Sequence, residues 1–255
     1  MPKVDYDFAV IAVQEDELNA ILQRVTLIGI RSYRDRDYID VTVDDANGAG
    51  RLTGVIVPMH DVGRVEAAIT TMRLLEHVQA RHLLLVGVAG GFPSNGVALG
   101  DVLVASSIVD YEFQRVANPV EYRLRTFLAD KDLLEASRAV NVKNEYNGRV
   151  PKVHYGSVMS GDKVIASEAG ISNLLHVEPL SVGVEMEGAG VAAALIDNGG
   201  AKPFLMIRGV VDFANDNKRS DSKVWIGAAC AVVADVTLST VILACGACRE
   251  DPPKV

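Results

Sequence analysis

Cysteine is scarce in this chain. Its three cysteines, Cys230, Cys245 and Cys248, all fall late in the 255 residues. An odd number with no early partner excludes a disulfide framework and points to a reducing compartment. Cys245 and Cys248 have CxxC spacing, but no second CxxC or nearby histidine accompanies them, so the pair is read as incidental. The N-terminal Met1-Pro2-Lys3-Val4-Asp5-Tyr6-Asp7 lacks the apolar core of a signal peptide. No run reaches the roughly 18 uncharged apolar residues of a membrane span; the longest candidate, 228–247, is interrupted by Asp235. These absences predict a cytoplasmic protein with no membrane partner. Basic excess is also missing. A net charge of −8 argues against a nucleic-acid partner, because phosphate backbones are held by clustered Lys and Arg. No linker-like stretch divides the chain internally, and no internal repeat is visible.

What is present is a regular alternation of apolar runs and helical patterns. Phe8-Ala9-Val10-Ile11-Ala12-Val13, Leu83-Leu84-Leu85-Val86 and Pro203-Phe204-Leu205-Met206-Ile207 are continuous apolar runs, the pattern of strands buried on both faces. Residues 102–105 and 153–157 read as further strands. Residues 25–57 read as β-structure, with a turn at Asn47-Gly48-Ala49-Gly50 and a charged, exposed segment over 31–37. Helices are predicted to start after Gln14, to run up to about His77, and to cover 130–140, 188–196 and 225 to about 244. Such alternation, with 49% hydrophobic residues, predicts one doubly wound α/β domain over 1–248. Residues 249–255 form a polar, proline-containing tail that could open a linker.

Charged residues cluster where the apolar runs end. Gln14-Glu15-Asp16-Glu17 follows the first run, and open α/β sheets place their ligands at the carboxyl ends of strands. Gly87-Val88-Ala89-Gly90-Gly91 follows the second, where glycines permit positive φ and close backbone approach. It is neither a Walker loop, since no Gly-Lys-Ser/Thr follows, nor the GxGxxG dinucleotide pattern. Arg208-Gly209-Val210-Val211-Asp212 closes the third. Between them, Glu185 and Glu187 bracket Met186 just before Gly188-Ala189-Gly190-Val191-Ala192-Ala193-Ala194. Carboxylates at a helix mouth are favoured by free N–H groups and the dipole, and the small residues would let that helix pack closely on a sheet.

Together with the block from Val62-Gly63-Arg64-Val65-Glu66-Ala67-Ala68, Gly100-Asp101-Val102 and Ser160-Gly161-Asp162, these motifs resemble the nucleoside phosphorylase and nucleosidase superfamily. The resemblance is strongest to the bacterial 5′-methylthioadenosine/S-adenosylhomocysteine nucleosidases. It implies a three-layer α/β/α domain with a central mixed, mostly buried sheet, and hydrolysis of the N-glycosidic bond of a purine nucleoside or nucleotide derivative to release free base. It assigns Met186 and Glu187 to the ribose, Asp212 to protonation of purine N7, Glu17 to the attacking water with Arg208 beside it, and Val164 and Ile165 to the flanks of the base. Neither metal nor organic cofactor is implied, and a homo-oligomer is. A carboxylate suits ribose hydroxyls because charge-assisted hydrogen bonds are strong. An oxocarbenium-like sugar favours an anion-rich surface.

Two positions depart from the family pattern. Val88 stands where Ser or Thr is common, and Val211 where the residue before the aspartate is often serine. Losing both hydroxyls, with Glu17 nearby, disfavours a phosphate nucleophile. The alternatives are a phosphate-dependent purine nucleoside phosphorylase and a non-catalytic nucleotide-sensing or effector module of a larger protein. For a nucleotide substrate, Arg31, Arg34, Arg36, Arg115, Arg123 and Arg125 are the candidate 5′-phosphate clamp.

Overall fold

The first apolar run lies inside β1 (Val4–Ala12), with β4 (Arg51–Pro58) and β5 (Val78–Gly91) parallel on its two sides. Residues 8–12 are almost wholly buried, as a run without polar alternation requires in a sheet covered on both faces. The computed structural model describes residues 3–46, 48, 50–118, 120–199 and 202–250, without the side chains of 247–250. Asn47 and Ala49 of the predicted turn, and the tail from 251, lie outside the described residues.

After β1 come α1 (Glu15–Leu22), β2 (Thr26–Tyr33) and β3 (Arg36–Asp44); β2, β3 and β4 form an antiparallel flank. The helix α2 (Arg64–His77) leads into β5. Next are β6 (Val102–Asp110), a short hairpin of β7 (Gln114–Arg115) and β8 (Glu121–Tyr122), β9 (Arg125–Leu128), α3 (Lys131–Arg138) and β10 (Val153–Ser160). The chain ends through α4 (Glu168–Val177), β11 (Gly183–Glu185), α5 (Gly188–Asp197), β12 (Phe204–Asp212) and α6 (Lys218–Glu250). Ten strands make one mixed sheet in the order β11-β10-β6-β12-β5-β1-β4-β3-β2, with β9 on β6. Val184 and Gly183 of β11 return to pair with Gly90 and Gly91 of β5, closing half of the sheet into a ring of strands.

Alternate residues of each buried strand serve opposite layers. Ile11, Leu85 and Met206 pack with Ala67, Leu74 and Val191 of α2 and α5. Val10, Leu84 and Leu205 pack with Ile21, Leu133, Cys230 and Val233 of α1, α3 and α6. This is the three-layer arrangement. The helix α6 is long and apolar enough to cross a membrane by length and composition, yet 67% of its apolar 18-residue window is buried inside the fold, so it serves as a core helix here.

Several local expectations are corrected. Residues 87–91 continue β5 instead of forming a turn, and none of the three glycines has positive φ. Their missing side chains provide close approach: a Cβ on Gly87 would fall 1.9 Å from Arg208 Nη1, and one on Gly90 2.9 Å from Ala214 Cβ. Arg36, expected on an exposed segment, is 2% exposed and ion-paired with Glu66 across the α2 side of the sheet. The helix α6 starts at Lys218, seven residues before the expected Trp225, and reaches Glu250. The helix α4, capped by Ser167 Oγ on the Gly170 N–H, was not anticipated.

The small residues of α5 also do more than approach the sheet. A Cβ on Gly190 would lie 2.0 Å from the Arg64 carbonyl oxygen, because α5 runs against the start of α2. Gly190→Ala is expected to destabilise the protein by about 1–3 kcal/mol, the range for overpacking where backbone must move. Chemical denaturation checks it, with Gly227→Ala, which meets open space, as the comparison.

Candidate active site

The ends of β5 and β11, the turns after β1, β4 and β10, and the start of α6 enclose a cleft of about 260 Å³. Gln14, Val62, Val88, Ala89, Gly90, Lys163, Val164, Ile165, Val184, Glu185, Met186, Glu187 and Lys218 line it. Seven predicted site residues are therefore on its wall: Val88, Ala89, Gly90, Val164, Ile165, Met186 and Glu187. Gly87 lies against Arg208 and Glu17, and Gly91 against Val97 and Val210. Glu17, Arg208 and Asp212 sit behind the wall, each at most 3% exposed.

Local sequence explains how each acid is aimed. Of the three acids opening α1, Glu15 and Asp16 are exposed and Glu17 is buried. At the third helical position Glu17 reaches back in a capping box. Its Oε2 accepts the Val13 and Gln14 N–H groups, both at 2.8 Å, and its Oε1 accepts the Val88 N–H at 3.0 Å. Burial pushes its carboxyl up to about 7, against the opposing pull of Arg208 and the backbone donors.

Glu185 and Glu187 have separate tasks. Glu185 Oε2 accepts the N–H groups of Glu187 and Gly188 at 3.0 and 2.9 Å, and Ser160 Oγ accepts that of Ala189 at 2.9 Å. These bonds satisfy free donors at the mouth of α5. Glu187 is thereby left to face the cleft, with Oε1 on the Gly63 N–H at 3.0 Å. Arg208 Nη2 bridges the pair, donating to Glu185 Oε2 at 2.5 Å and Glu187 Oε2 at 2.9 Å. Burial raises the Glu187 carboxyl, and Glu185 adds like-charge repulsion that Arg208 offsets. Burial works against the Arg208 charge, but Glu185, Glu187 and Glu17 outweigh it and hold the guanidinium above its ordinary range. One guanidinium thus lies against three carboxyl groups at this end of the cleft.

Asp212 is aimed by a bulge. Val210 and Asp212 sit opposite consecutive residues of β5, Ala89 and Gly90. Val210 is clamped by the Gly100-Asp101 motif: its N–H donates to Asp101 O and its carbonyl accepts the Gly100 N–H, both at 2.8 Å. The Asp101 carboxylate is itself held by Arg149 at 2.7 Å, His154 at 2.8 Å and the N–H groups of Ala98 and Lys152. An extra residue in one strand bends it and redirects a side chain. Asp212 then meets Ala214 N–H, Lys218 Nζ and Ser222 Oγ.

Sequence reasoning missed Lys218 and Ser222, because the helix was expected to begin after them. The proposed arginine clamp is corrected: none of its six members lines the cleft. Arg31 pairs with Asp40, Arg34 with Glu76, Arg36 with Glu66 and Arg115 with Glu121. Arg123 and Arg125 lie over the Phe113 ring.

The chain belongs to the phosphorylase superfamily, whose family profile matches residues 7–247. It is 31% identical over 181 residues to a 5′-methylthioadenosine/S-adenosylhomocysteine nucleosidase of Desulfotalea psychrophila, covering 68% of this chain and 74% of the relative. It is 32% identical over 179 residues to the nucleosidase of that name from Maridesulfovibrio salexigens, covering 67% and 74%. The fold is shared with a Colwellia psychrerythraea nucleosidase solved with adenine, at a TM-score of 0.79 and 22% identity, over 94% of this chain and 96% of the other. It is also shared with futalosine hydrolase of Helicobacter pylori, at 0.74 and 19%, over 92% and 96%.

Proposed function

We propose that the protein hydrolyses the N-glycosidic bond of a purine nucleoside derivative and releases the free base. The observation that carries this reading is the convergence of two charged clusters on one cleft: Glu17, Glu185 and Glu187 around Arg208, and Asp212 with Lys218, which lines the wall. Glu187 accepts hydrogen bonds from the ribose hydroxyls, and Met186 packs against the sugar. As the C1′–N9 bond lengthens, positive charge on the sugar is stabilised by the carboxylates. Glu17 accepts a proton from the attacking water, a task suited to a carboxyl poised near neutrality. Val164 and Ile165 flank the base, whose departure is assisted from the Asp212 end.

Water is favoured over phosphate by the wall itself. Val88 presents an isopropyl group where a phosphate would need a hydroxyl donor, and its N–H is already held by Glu17. Without the arginine clamp, a nucleoside with an uncharged or zwitterionic 5′ substituent fits better than a nucleotide. Homo-oligomerisation belongs to the same reading. Val62 on the wall continues into Val65 and Ile69 on the outer face of α2, and Val65 is 70% exposed; a second copy would cover this stripe. The reduced, buried Cys230 suits the cytoplasm.

The test is product analysis with 5′-methylthioadenosine, S-adenosylhomocysteine, adenosine and AMP, with and without phosphate. Free adenine and the free sugar, independent of phosphate, are expected; strict phosphate dependence with a sugar 1-phosphate would establish the phosphorylase instead. Ligand binding without turnover would establish the non-catalytic module. Glu187→Gln is expected to lower kcat/KM by about 100-fold, mostly through KM, on the scale of losing a charge-assisted hydrogen bond or two. Steady-state kinetics on the cleaved substrate measures it.

A further inference from the structure

Arg149 does not line the cleft, and its side chain is 29% exposed. A tight turn presents it. Tyr146 and Arg149 exchange backbone hydrogen bonds at 2.8 and 3.2 Å, and the two residues between them, Asn147 and Gly148, have φ of 49° and 77°. Positive φ at both positions is what selects Asn-Gly in a two-residue hairpin. The Tyr146 hydroxyl donates to Asp235 of α6, which ties the turn to a core helix.

The Arg149 guanidinium serves one short segment. Nη1 donates to the Leu99 carbonyl and Nη2 to Asp101 Oδ1, the latter at 2.7 Å. Gly100 lies between them at φ 80°, where a Cβ would fall 2.6 Å from Trp225 Cζ3. The Asp101 side chain is fully buried. Burial works against its charge, but His154, the Lys152 and Ala98 N–H groups and Arg149 outweigh it and hold the carboxyl below its ordinary range.

What this segment holds in turn is the approach to Asp212. The ladder between β12 and β6 ends at Gly209, opposite Val102. One residue later the Gly100 N–H and the Asp101 carbonyl engage both backbone groups of Val210, at 2.8 Å each, and the bulge that turns Asp212 follows at once. A bulge disrupts the ladder locally, so its direction depends on how its flanks are held.

Resting on the hydrolase reading, we propose that Arg149 is a positioning residue for base release: through Asp101 and the backbone of Val210 it fixes the bulge that aims Asp212 at the departing purine. It acts without touching substrate. Without the guanidinium, Asp101 keeps His154 and two backbone donors, so its carboxylate stays partnered while the segment from Leu99 to Asp101 loses its clamp. The fold is therefore expected to survive and the aim of Asp212 to drift. A misplacement of about 1 Å caused far from the chemistry costs up to about 100-fold.

Arg149→Met tests this in two ways. On the cleaved adenine nucleoside it is expected to lower kcat by about 30-fold with KM changed by less than about threefold. On 4-nitrophenyl β-D-ribofuranoside, whose nitrophenolate leaves without help from an acid, the change should be less than about threefold. In an Asp212→Asn background the same substitution should alter adenine release by less than about twofold, because a residue that acts through Asp212 has nothing left to position. Arg149→Lys keeps a charge beside Asp101 but lacks the planar fork that also reaches Leu99; a loss of about threefold is expected, and it carries the same comparisons if the methionine variant does not fold. Losses that multiply in the double variant, equal losses on the two substrates, or full kcat in Arg149→Met would each overturn the proposal. Where one comparison gives no measurable rate the other decides, and the kcat-against-KM split decides where neither does. A wild type that releases no base from any purine nucleoside overturns the hydrolase reading itself, a result separate from each of these.

Discussion

Glu17→Gln is expected to lower kcat/KM by about 10³-fold, within the range for removing a general base. The loss should appear in kcat, because Glu17 lies behind the wall and contributes little to holding the substrate. The pH dependence supplies a second signature. With its carboxyl pushed up to about 7 by burial, Glu17 is protonated in acid and cannot accept a proton from water. Wild-type kcat/KM should climb tenfold per pH unit below about 7 and level off above it, and the glutamine variant should lose that limb. Stability runs the other way. A carboxyl raised from 4.5 binds its proton more tightly in the folded than in the unfolded chain. Its contribution is full below the unfolded value and is lost as pH rises through the folded one. Between pH 4.5 and 7 the Glu17 contribution to stability therefore declines while activity increases. Denaturation curves and initial rates across this window check both slopes; a kcat/KM profile flat from pH 5 to 8 would remove Glu17 from the water-activating role.

The second large effect concerns the cation beneath the cleft. Arg208→Met would leave Glu185, Glu187 and Glu17 buried around an apolar side chain, all within the field of a charge no longer there. Removing one partner of a buried ionic cluster costs about 3–5 kcal/mol, because the remaining charges stay desolvated. The expected loss is largest at alkaline pH and shrinks in acid, as the carboxyls take up protons and cease to need the guanidinium. Unfolding measured at pH 5 and pH 8 separates this from simple misfit of the methionine, which would be independent of pH. Arg208→Lys is not expected to restore the wild type, since one ammonium cannot reproduce a planar guanidinium whose single Nη2 serves both Glu185 and Glu187.

Glu17 and Gly87 show how differently two parts of the same site are encoded. The burial of Glu17 follows from local features: a strand that ends at Ala12, a helix that starts at Glu15, and a third-position acid that caps its own first turn. Gly87 reads locally as a loop residue, but its role is to make room for Arg208, 121 positions later, in a strand that continues straight through. Arg36 is misread for the same reason. In a run of mixed charges it resembles a solvated face, and only the packing of β3 on α2 supplies the Glu66 carboxylate that makes its burial tolerable.

From the amino-acid sequence alone come the long buried strands, the helices other than α4, their alternation, and the acids at the strand ends, because apolar runs, capping residues and turn chemistry act over a few neighbouring residues. The tertiary structure alone decides the return of β11 onto β5, the bulge that turns Asp212, the withdrawal of six arginines from the cleft, and the pairing of Lys218 with Asp212. Each depends on which oxygen or nitrogen a distant segment delivers to a desolvated position. Electrostatic partnership of that kind is set by distance and burial in three dimensions, and no spacing along the chain encodes it.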